Sequence, residues 1–207
     1  MDDVLQKFEN ICDKNALETY LSYMALFIGL YEQMIDMVEE RVEWFLCNEF
    51  HFENGKFKCI HSKEYNEMIK SRRVDEQGNK NALKATMLWF QSVGAITEAD
   101  YKDFLRFKKI RDSYVHQMSK HIWEGLNESE APTIFELLSL YNKIDIWWIN
   151  EVEIPIDGRF VNADYDHDGV QSFPLITFKM ILDTMYGGKS EEYMKMISDL
   201  RNGADIV

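Results

Sequence analysis

The sequence predicts an all-α fold: an antiparallel up-and-down helical bundle of four to five core helices, followed by a C-terminal extension of a loop and short helices. Only 3 prolines and 10 glycines interrupt the 207 residues, and such a scarcity of helix breakers favours helices. Apolar residues recur at three- and four-residue spacing. The short connections between the predicted helices favour antiparallel neighbours. We assign the bundle to residues 1–150 and the extension, which we expect to pack on it, to residues 151–207.

The first half of the chain predicts three helices and a turn. Residues 16–50 carry the longest amphipathic pattern, with acidic side chains at the outward positions. A loop or short hairpin follows around Asn54 and Gly55, a pair typical of turns. Residues 64–74 predict a second helix. Residues 82–93 predict a third, which an asparagine caps and a glycine ends.

The second half predicts two long helices and two short ones. Thr97 and Asp100 resemble a capping box, with Asp in place of the usual Glu, that opens a fourth helix over residues 98–123. A fifth helix covers residues 133–150. The acidic, turn-rich segment beyond it predicts a long loop with two short strands, over residues 153–156 and 159–161. Two closing helices are predicted after the loop, over residues 175–186 and 190–201.

Charge is distributed unevenly along the chain. The formal net charge is −13, which by itself argues against a nucleic-acid partner. Residues 56–120, however, hold 14 basic and 8 acidic side chains, a balance of +6, and the segments before and after them are strongly acidic. An ordinary solvated helix face is the alternative explanation of such an excess. The middle segment is where we expect an anionic ligand to bind.

The cysteines and the N-terminal residues indicate the cellular compartment in which we expect the protein. Cys12, Cys47 and Cys59 are an odd number without motif spacing, which predicts reduced, mostly buried thiols. The acidic N-terminus lacks the features of a signal peptide. The most apolar run, residues 21–31, is too short to cross a bilayer. We therefore expect a cytoplasmic protein that has no membrane partner.

The sequence KKIRDSYVHQM, in the fourth predicted helix, holds the candidate catalytic residues. Arg111 and His116 lie five residues apart, about 140° around a helix, so they do not share a face. Both can still reach one ligand in a groove between helices. Asp112 lies four residues before His116 on the same face, where a carboxylate can orient an imidazole. The alternative is that Arg111 pairs with a surface carboxylate and His116 packs in the bundle.

Further polar side chains flank these three residues. The flanking lysines supply positive charge, and a tyrosine adds a hydroxyl group within the same helical segment. We assign them to substrate binding: Lys108, Lys109, Tyr114 and Lys120. No metal site and no cofactor are predicted, because the histidines lack the spacing of a zinc helix and no phosphate-binding glycine loop is present.

The setting of RDSYVH resembles the HEPN superfamily, helical bundles that include many ribonucleases of toxin and defence systems. The resemblance rests on a helix that ends at Gly94, a short turn, and a helix whose apolar stripe leads into an Arg-x4-His motif. It implies metal-independent cleavage of RNA, with His116 as general acid or base and Arg111 on the phosphate. Asp112 would orient His116, although active members usually carry Asn there.

The resemblance also implies partners. Members commonly form homodimers that bring two motifs into one cleft, and some are controlled by an antitoxin or another regulatory protein. Those controlled by nucleotidyltransferase antitoxins often carry Tyr two places after the His, where this chain has Met118. Regulation by tyrosine modification at that position is therefore not expected here.

Two other interpretations remain open. The first is a non-catalytic protein of the same fold that binds a partner or acts as a sensor, which Asp112 and the charge of −13 favour. The second is a calcium-responsive protein, because residues 164–169 copy four positions of an EF-hand loop. That loop lacks the required Glu at its twelfth position, where Leu175 stands, so a solvated acidic turn is the simpler interpretation.

Overall fold

The computed structural model describes residues 2–125, 132–160 and 164–201. These residues are mostly helical, as the sequence predicts, and they include one two-stranded sheet. The chain divides into two compact units, residues 1–144 and residues 145–207. No helix in the described part of the chain combines the length and the apolar character needed to cross a membrane.

Two helices begin the first unit, α1 (Asp2–Cys12) and α2 (Lys14–Phe45). The side chain of Asp13 caps α2, because its Oδ1 accepts hydrogen bonds from the backbone N–H groups of Asn15 (2.8 Å) and Ala16 (3.2 Å). The predicted helix extended to residue 50, and that boundary is wrong. The five residues in question belong instead to the turn after α2 and to the first strand.

The two strands form the predicted hairpin. Strand β1 (Cys47–Glu53) pairs antiparallel with β2 (Lys56–His61). Asn54 and Gly55 make the turn with φ angles of 52° and 76°, in the left-handed region that Asn and Gly tolerate best. This region of the sequence was predicted as a loop or a hairpin, and the hairpin is confirmed.

A disulfide joins the two strands. Cys47 and Cys59 are bonded, with their Cα atoms 5.7 Å apart, within the usual range for a disulfide. Cys12 is free and exposed. The prediction of reduced, mostly buried thiols is therefore wrong, because pairing of the strands brings together two cysteines whose sequence separation of 12 gave no sign of it.

The predicted helix over residues 64–74 is shorter than expected. A single turn, α3 (Lys63–Tyr65), continues as a π-helix (Asn66–Lys70) and stops there. Arg73 then forms an isolated β-bridge with Lys80, and the intervening turn is closed by backbone hydrogen bonds. Pairing across that turn requires an extended backbone, which is incompatible with a continued helix.

The ends of the next helix, α4 (Ala82–Ser92), agree with the prediction. The side chain of Asn81 accepts a hydrogen bond from the backbone N–H of Lys84 at 2.9 Å. Gly94 follows with a φ of 83°, and the next N–H bonds back to the carbonyl of Phe90 at 3.0 Å. This is the Schellman arrangement, in which glycine permits the left-handed turn.

The motif helix is interrupted. Helix α5 (Glu98–His116) begins at the predicted capping box of Thr97 and Asp100, but it ends at His116, and α6 (Met118–Glu124) starts anew. Gln117 separates them with a φ of −128° and a ψ of 26°. The prediction of one helix over residues 98–123 is wrong, because the backbone leaves the helical conformation at Gln117.

The capping box makes a testable contribution to stability. Asp100 accepts hydrogen bonds from the Thr97 N–H and from Lys143. Burial raises the pKa of Asp100, but the bonds from Lys143 and Thr97 outweigh it and leave the pKa below its usual value. Its stabilisation is therefore present above the unfolded pKa of about 3.9 and is lost as the pH falls through the folded pKa.

We therefore expect Asp100→Ala to cost about 1 kcal/mol of unfolding free energy at neutral pH. The difference from wild type should shrink as the pH falls below about 4, where the wild-type carboxylate becomes protonated. Urea unfolding followed by circular dichroism at several pH values measures both quantities. A difference that stayed constant through the acid range would contradict the role of the ionised carboxylate.

Helix α7 (Thr133–Trp148) continues as a π-helix (Ile149–Glu153) and a final turn, α8 (Ile154–Ile156), with a 3₁₀ turn (Gly158–Phe160) after it. The strands predicted near 153–156 and 159–161 are absent from the described residues; Val161 lies outside them. Pro155 falls in α8, and its fixed φ fits the helical backbone. It therefore does not prevent this helical continuation.

Two helices close the described chain, α9 (Phe173–Tyr186) and α10 (Ser190–Arg201), which confirms both short helices predicted there. Asn150, in the π-helix, bonds two residues of the acidic loop that leads to α9. Its Oδ1 accepts a hydrogen bond from the Tyr165 hydroxyl at 3.1 Å, and its Nδ2 donates to the carbonyl of His167 at 2.8 Å. These hydrogen bonds attach the acidic loop to the π-helix.

The core of the first unit is rich in aromatic side chains. Helix α2 packs against α1, α4, α5 and α6. Phe27 of α2 contacts Phe107 and Tyr114 of α5 edge to face, and Tyr31 stacks on Phe104. All five rings are buried. These contacts fix the position of the motif helix against α2.

Candidate functional site

Arg111 lies on α5 beneath the side chains of α2. Its side chain is 22% exposed, and its Nε lies 2.9 Å from Oε1 of Glu32. The Nε–H does not point at that oxygen and has no hydrogen-bond acceptor among the described residues, so we interpret the contact as an ion pair. The guanidinium carbon lies 5.1 Å from the centre of the Tyr31 ring. These contacts hold Arg111 in one orientation.

Asp112 joins the cations of the helix. Its Oδ1 lies 2.9 Å from Nη1 of Arg111, and its Oδ2 accepts a hydrogen bond from Nζ of Lys108 at 2.7 Å. The Lys108 hydrogen bond, with the charges of Lys108, Arg111 and His116, lowers the pKa of Asp112 despite partial burial. Three of the predicted site residues therefore form one cluster, which we call the Arg111 cluster: Lys108, Arg111 and Asp112.

His116 occupies the end of α5 and faces solvent. Its imidazole makes no hydrogen bond within residues 2–125, 132–160 or 164–201. The charge of His116 contributes to the lowered pKa of Asp112. The two Asp112 oxygens contact Lys108 and Arg111. The expected hydrogen bond between the His116 imidazole and the Asp112 carboxylate is not formed, and the imidazole is accessible.

Tyr114 is in the core, which does not suit its assignment to substrate binding. The side chain is fully buried, and its ring lies 5.5 Å from that of Phe27 and 4.9 Å from that of His121. His121 in turn bonds the Ser113 hydroxyl through Nε2 at 2.8 Å. Tyr114 lies on the same inward face of α5 as the buried residues Phe104 and Phe107.

The remaining predicted contacts lie on the surface. Lys109 on α5 and Lys120 on α6 are both exposed. The break at Gln117 separates them, so they belong to two helices and not to one continuous face. The exposed cations of this region are thus spread out, whereas Lys108 and Arg111 are held within ion pairs.

The positive charge of the middle segment is concentrated outside the motif helix. Residues 56–73 hold six basic and two acidic side chains, a balance of +4, whereas residues 98–120 hold six basic and four acidic ones, a balance of +2. The first of these stretches covers β2, α3 and the π-helix. The excess that the sequence assigned to the whole of residues 56–120 therefore lies mainly beside the hairpin.

The structure also shows a cluster that the sequence analysis missed. His61 places Nε2 2.5 Å from Oε1 of Glu43 and Nδ1 2.8 Å from Nζ of Lys70, and its ring stacks on Tyr65 at 4.2 Å. The lysine ammonium can only donate, so Nδ1 accepts and Nε2–H donates to Glu43. No spacing in the sequence links these residues, because only the hairpin brings them together.

The acidic loop beyond α8 does not assemble a metal site. Within the described part of the chain, no group of three or more His, Cys, Asp and Glu side chains is arranged to hold a metal ion. Asp166 instead accepts a hydrogen bond from the backbone N–H of Asp168 at 3.1 Å. A Cβ at Gly169 would displace the carboxylate of Asp166 from its place in this turn.

The chain was also compared with known proteins. Neither the models of protein families nor the curated proteins nor the solved structures include a significant match to it. The candidate site is therefore described by its own geometry: the Arg111 cluster on α5, with the accessible imidazole of His116 at the end of the same helix.

Proposed function

We propose that this protein is a metal-independent endoribonuclease of the HEPN type that acts in a toxin or defence system. The observation that carries the proposal is the accessible imidazole of His116, which lies one helical turn after Asp112 of the Arg111 cluster on α5. An imidazole titrates near neutral pH and so can both accept and donate a proton.

In the proposed reaction, the 2′-hydroxyl of RNA attacks the adjacent phosphorus and loses its proton to His116. The bond from phosphorus to the 5′-oxygen breaks, and that oxygen receives a proton from a second acid. The products are a 2′,3′-cyclic phosphate and a free 5′-hydroxyl. Because the nucleophile is the 2′-hydroxyl, RNA and not DNA is the substrate.

Arg111 would contact the phosphate and offset the negative charge that develops on it. The ion pairs with Glu32 and Asp112 position the guanidinium for this contact. Asp112 would hold Lys108 and Arg111 in place, a change from the expected role of orienting His116. Lys109 and Lys120, both exposed, would contact the RNA backbone.

The remaining parts of the proposal follow from the resemblance. The helices would form an up-and-down bundle, and two chains would form a homodimer whose second His116 supplies the acid. An antitoxin or another regulatory protein would control the activity in the cytoplasm. The Cys47–Cys59 disulfide would be unusual in the cytoplasm, because disulfides are rare among cytosolic proteins.

A non-catalytic protein that binds a partner or acts as a sensor is the second candidate. The observation that favours it is the engagement of Arg111 by Glu32 and Asp112, together with the net charge of −13. In this case Arg111 would stabilise the helix pair, and RNA would remain intact.

The test is incubation of the purified protein with mixed RNA in the presence of EDTA, followed by analysis of the product ends. We expect cleavage that leaves 2′,3′-cyclic phosphates and 5′-hydroxyls, with no cleavage of DNA of the same sequences. Intact RNA at every protein concentration would favour the non-catalytic candidate. Cleavage that required a divalent metal would contradict the proposed mechanism.

A further inference from the structure

One face of the β-hairpin exposes aromatic side chains. Phe50 and Phe52 lie on the same face of β1, opposite Cys59 and Phe57 of β2. Phe52 and Phe57 are 67% and 64% exposed, and their rings are 5.0 Å apart. At the other end of this face, Phe50 stacks on Trp44 of α2 at 4.7 Å. We call this set the aromatic face: Trp44, Phe50, Phe52 and Phe57.

Contiguous exposed aromatic rings are unusual on a protein surface and mark a binding site. On the opposite face of the hairpin, His51 lies 3.3 Å from Glu49, and Lys58 bonds Glu53. The aromatic face carries no charged side chain of its own. The hairpin therefore separates a polar face from an aromatic one.

The aromatic face borders a pocket of about 320 Å³ beside the end of α2, lined by Glu43, Trp44, Phe50, Phe57, Lys58 and Cys59. The Cys47–Cys59 disulfide ties the two strands together at this point, and the sulfur of Cys59 lies 3.6 Å from the backbone oxygen of Glu43. The disulfide thus restrains the two strands that carry the rings before any ligand binds, which lowers the entropy cost of binding.

The segment that contains β2 and the turns after it carries a positive charge balance, which can attract an anionic partner to the aromatic face. The stretch 56–73, which forms β2 and the turns after it, carries the +4 balance described above. Of the carboxylates nearby, Glu53 pairs with Lys58, and Glu43 accepts a hydrogen bond from the His61 imidazole, which Lys70 bonds in turn. Aromatic rings for bases and lysines or arginines for phosphates are the combination by which proteins hold single-stranded nucleic acid.

We propose that the aromatic face is a binding site on which unpaired bases of single-stranded RNA stack, while cations of residues 56–73 attract the RNA backbone. This inference rests on the proposed function only in the choice of RNA as the ligand. The site is separate from Arg111 and His116 in sequence and in the elements that carry it. It would hold an unpaired stretch of the substrate and leave the chemistry to α5.

The test is the affinity of the full-length protein for a fluorescently labelled single-stranded RNA, measured by anisotropy in EDTA. The variants carry the His116→Ala background so that no RNA is cleaved. We expect the double variant Phe52→Ala/Phe57→Ala to raise the Kd on the order of ten- to a hundredfold, because two stacking platforms are lost. Phe135→Ala removes an exposed ring on α7 and should leave the Kd unchanged.

A second readout does not depend on the stability of the hairpin variants. Trp44 belongs to the aromatic face, so RNA should quench its fluorescence, and Trp44→Phe should remove that part of the signal. Double-stranded RNA, whose bases are already stacked, should bind more weakly than single-stranded RNA. RNA affinity equal to wild type in the double variant, or no quenching of Trp44, would overturn the proposal.

The other outcomes separate this inference from the proposed function. Loss of RNA affinity in the double variant, with no cleavage by wild type, would retain the stacking site and reject the ribonuclease. Cleavage by wild type, with unaltered RNA affinity in the double variant, would retain the ribonuclease and reject the stacking site. A change from dimer to monomer in the double variant, with RNA affinity unaltered, would assign the aromatic face to a second copy of the chain.

Discussion

We expect His116→Ala to lower the rate of RNA cleavage by about 10²- to 10⁴-fold, the range typical of the loss of a general acid or base. His116 is exposed and makes no hydrogen bond in the described part of the chain, so its removal should leave the fold and the unfolding free energy nearly unchanged. The rate is measured on a labelled RNA in EDTA, and circular dichroism checks the fold.

A matched control is His51→Ala. His51 is also an exposed histidine, and its described contact is with Glu49 on the polar face of the hairpin. This variant should cleave at the wild-type rate. Because the site of His116 is open, added imidazole should restore part of the activity of His116→Ala and none to Arg111→Met. An undiminished rate in His116→Ala would reject His116 as the catalytic residue.

The features that the sequence predicted correctly depend on neighbouring residues. Asn81 and Gly94 bound α4, and Thr97 with Asp100 starts α5, because caps and left-handed turns are satisfied within four residues. The hairpin turn at Asn54 and Gly55 is equally local. Such signals are read directly from the order of the residues, whatever the rest of the chain does.

The features that were predicted incorrectly depend on residues far apart or on a backbone choice with no strong residue signal. Nothing in the type of residue at Gln117 demands a helix break, and residues 153–156 were predicted as a short strand although the fixed φ of Pro155 fits a helix. The Cys47–Cys59 disulfide follows from strand register, which spacing alone does not give.

The candidate site shows the same division. The Arg-x4-His spacing is visible in the sequence, but the partner of Arg111, Glu32, comes from another helix. Tyr114 is part of both the apolar stripe and the motif, and in the structure its side chain is buried in the core with the stripe. The Glu43–His61–Lys70 cluster has no sequence signal, because its members are contributed by α2, β2 and the π-helix.

The second large effect is on stability, because the position of the motif helix depends on Phe27. This side chain is 0% exposed, and its ring contacts those of Phe107 and Tyr114 on α5. Phe27→Ala removes both edge-to-face contacts and leaves a cavity, so we expect it to lower the unfolding free energy by about 3–5 kcal/mol. Urea unfolding at constant m-value measures the loss.

Phe135→Ala is the matched control, since it deletes the same ring from a position that is 52% exposed, and it should cost less than about 0.5 kcal/mol. Equal losses in the two variants would contradict the packing described for α2 and α5. If Phe27→Ala remains folded, its RNA cleavage should also decrease, because Arg111 is positioned by Tyr31 and Glu32 of the same helix that Phe27 anchors. Stability and activity would then be linked through one helix–helix contact.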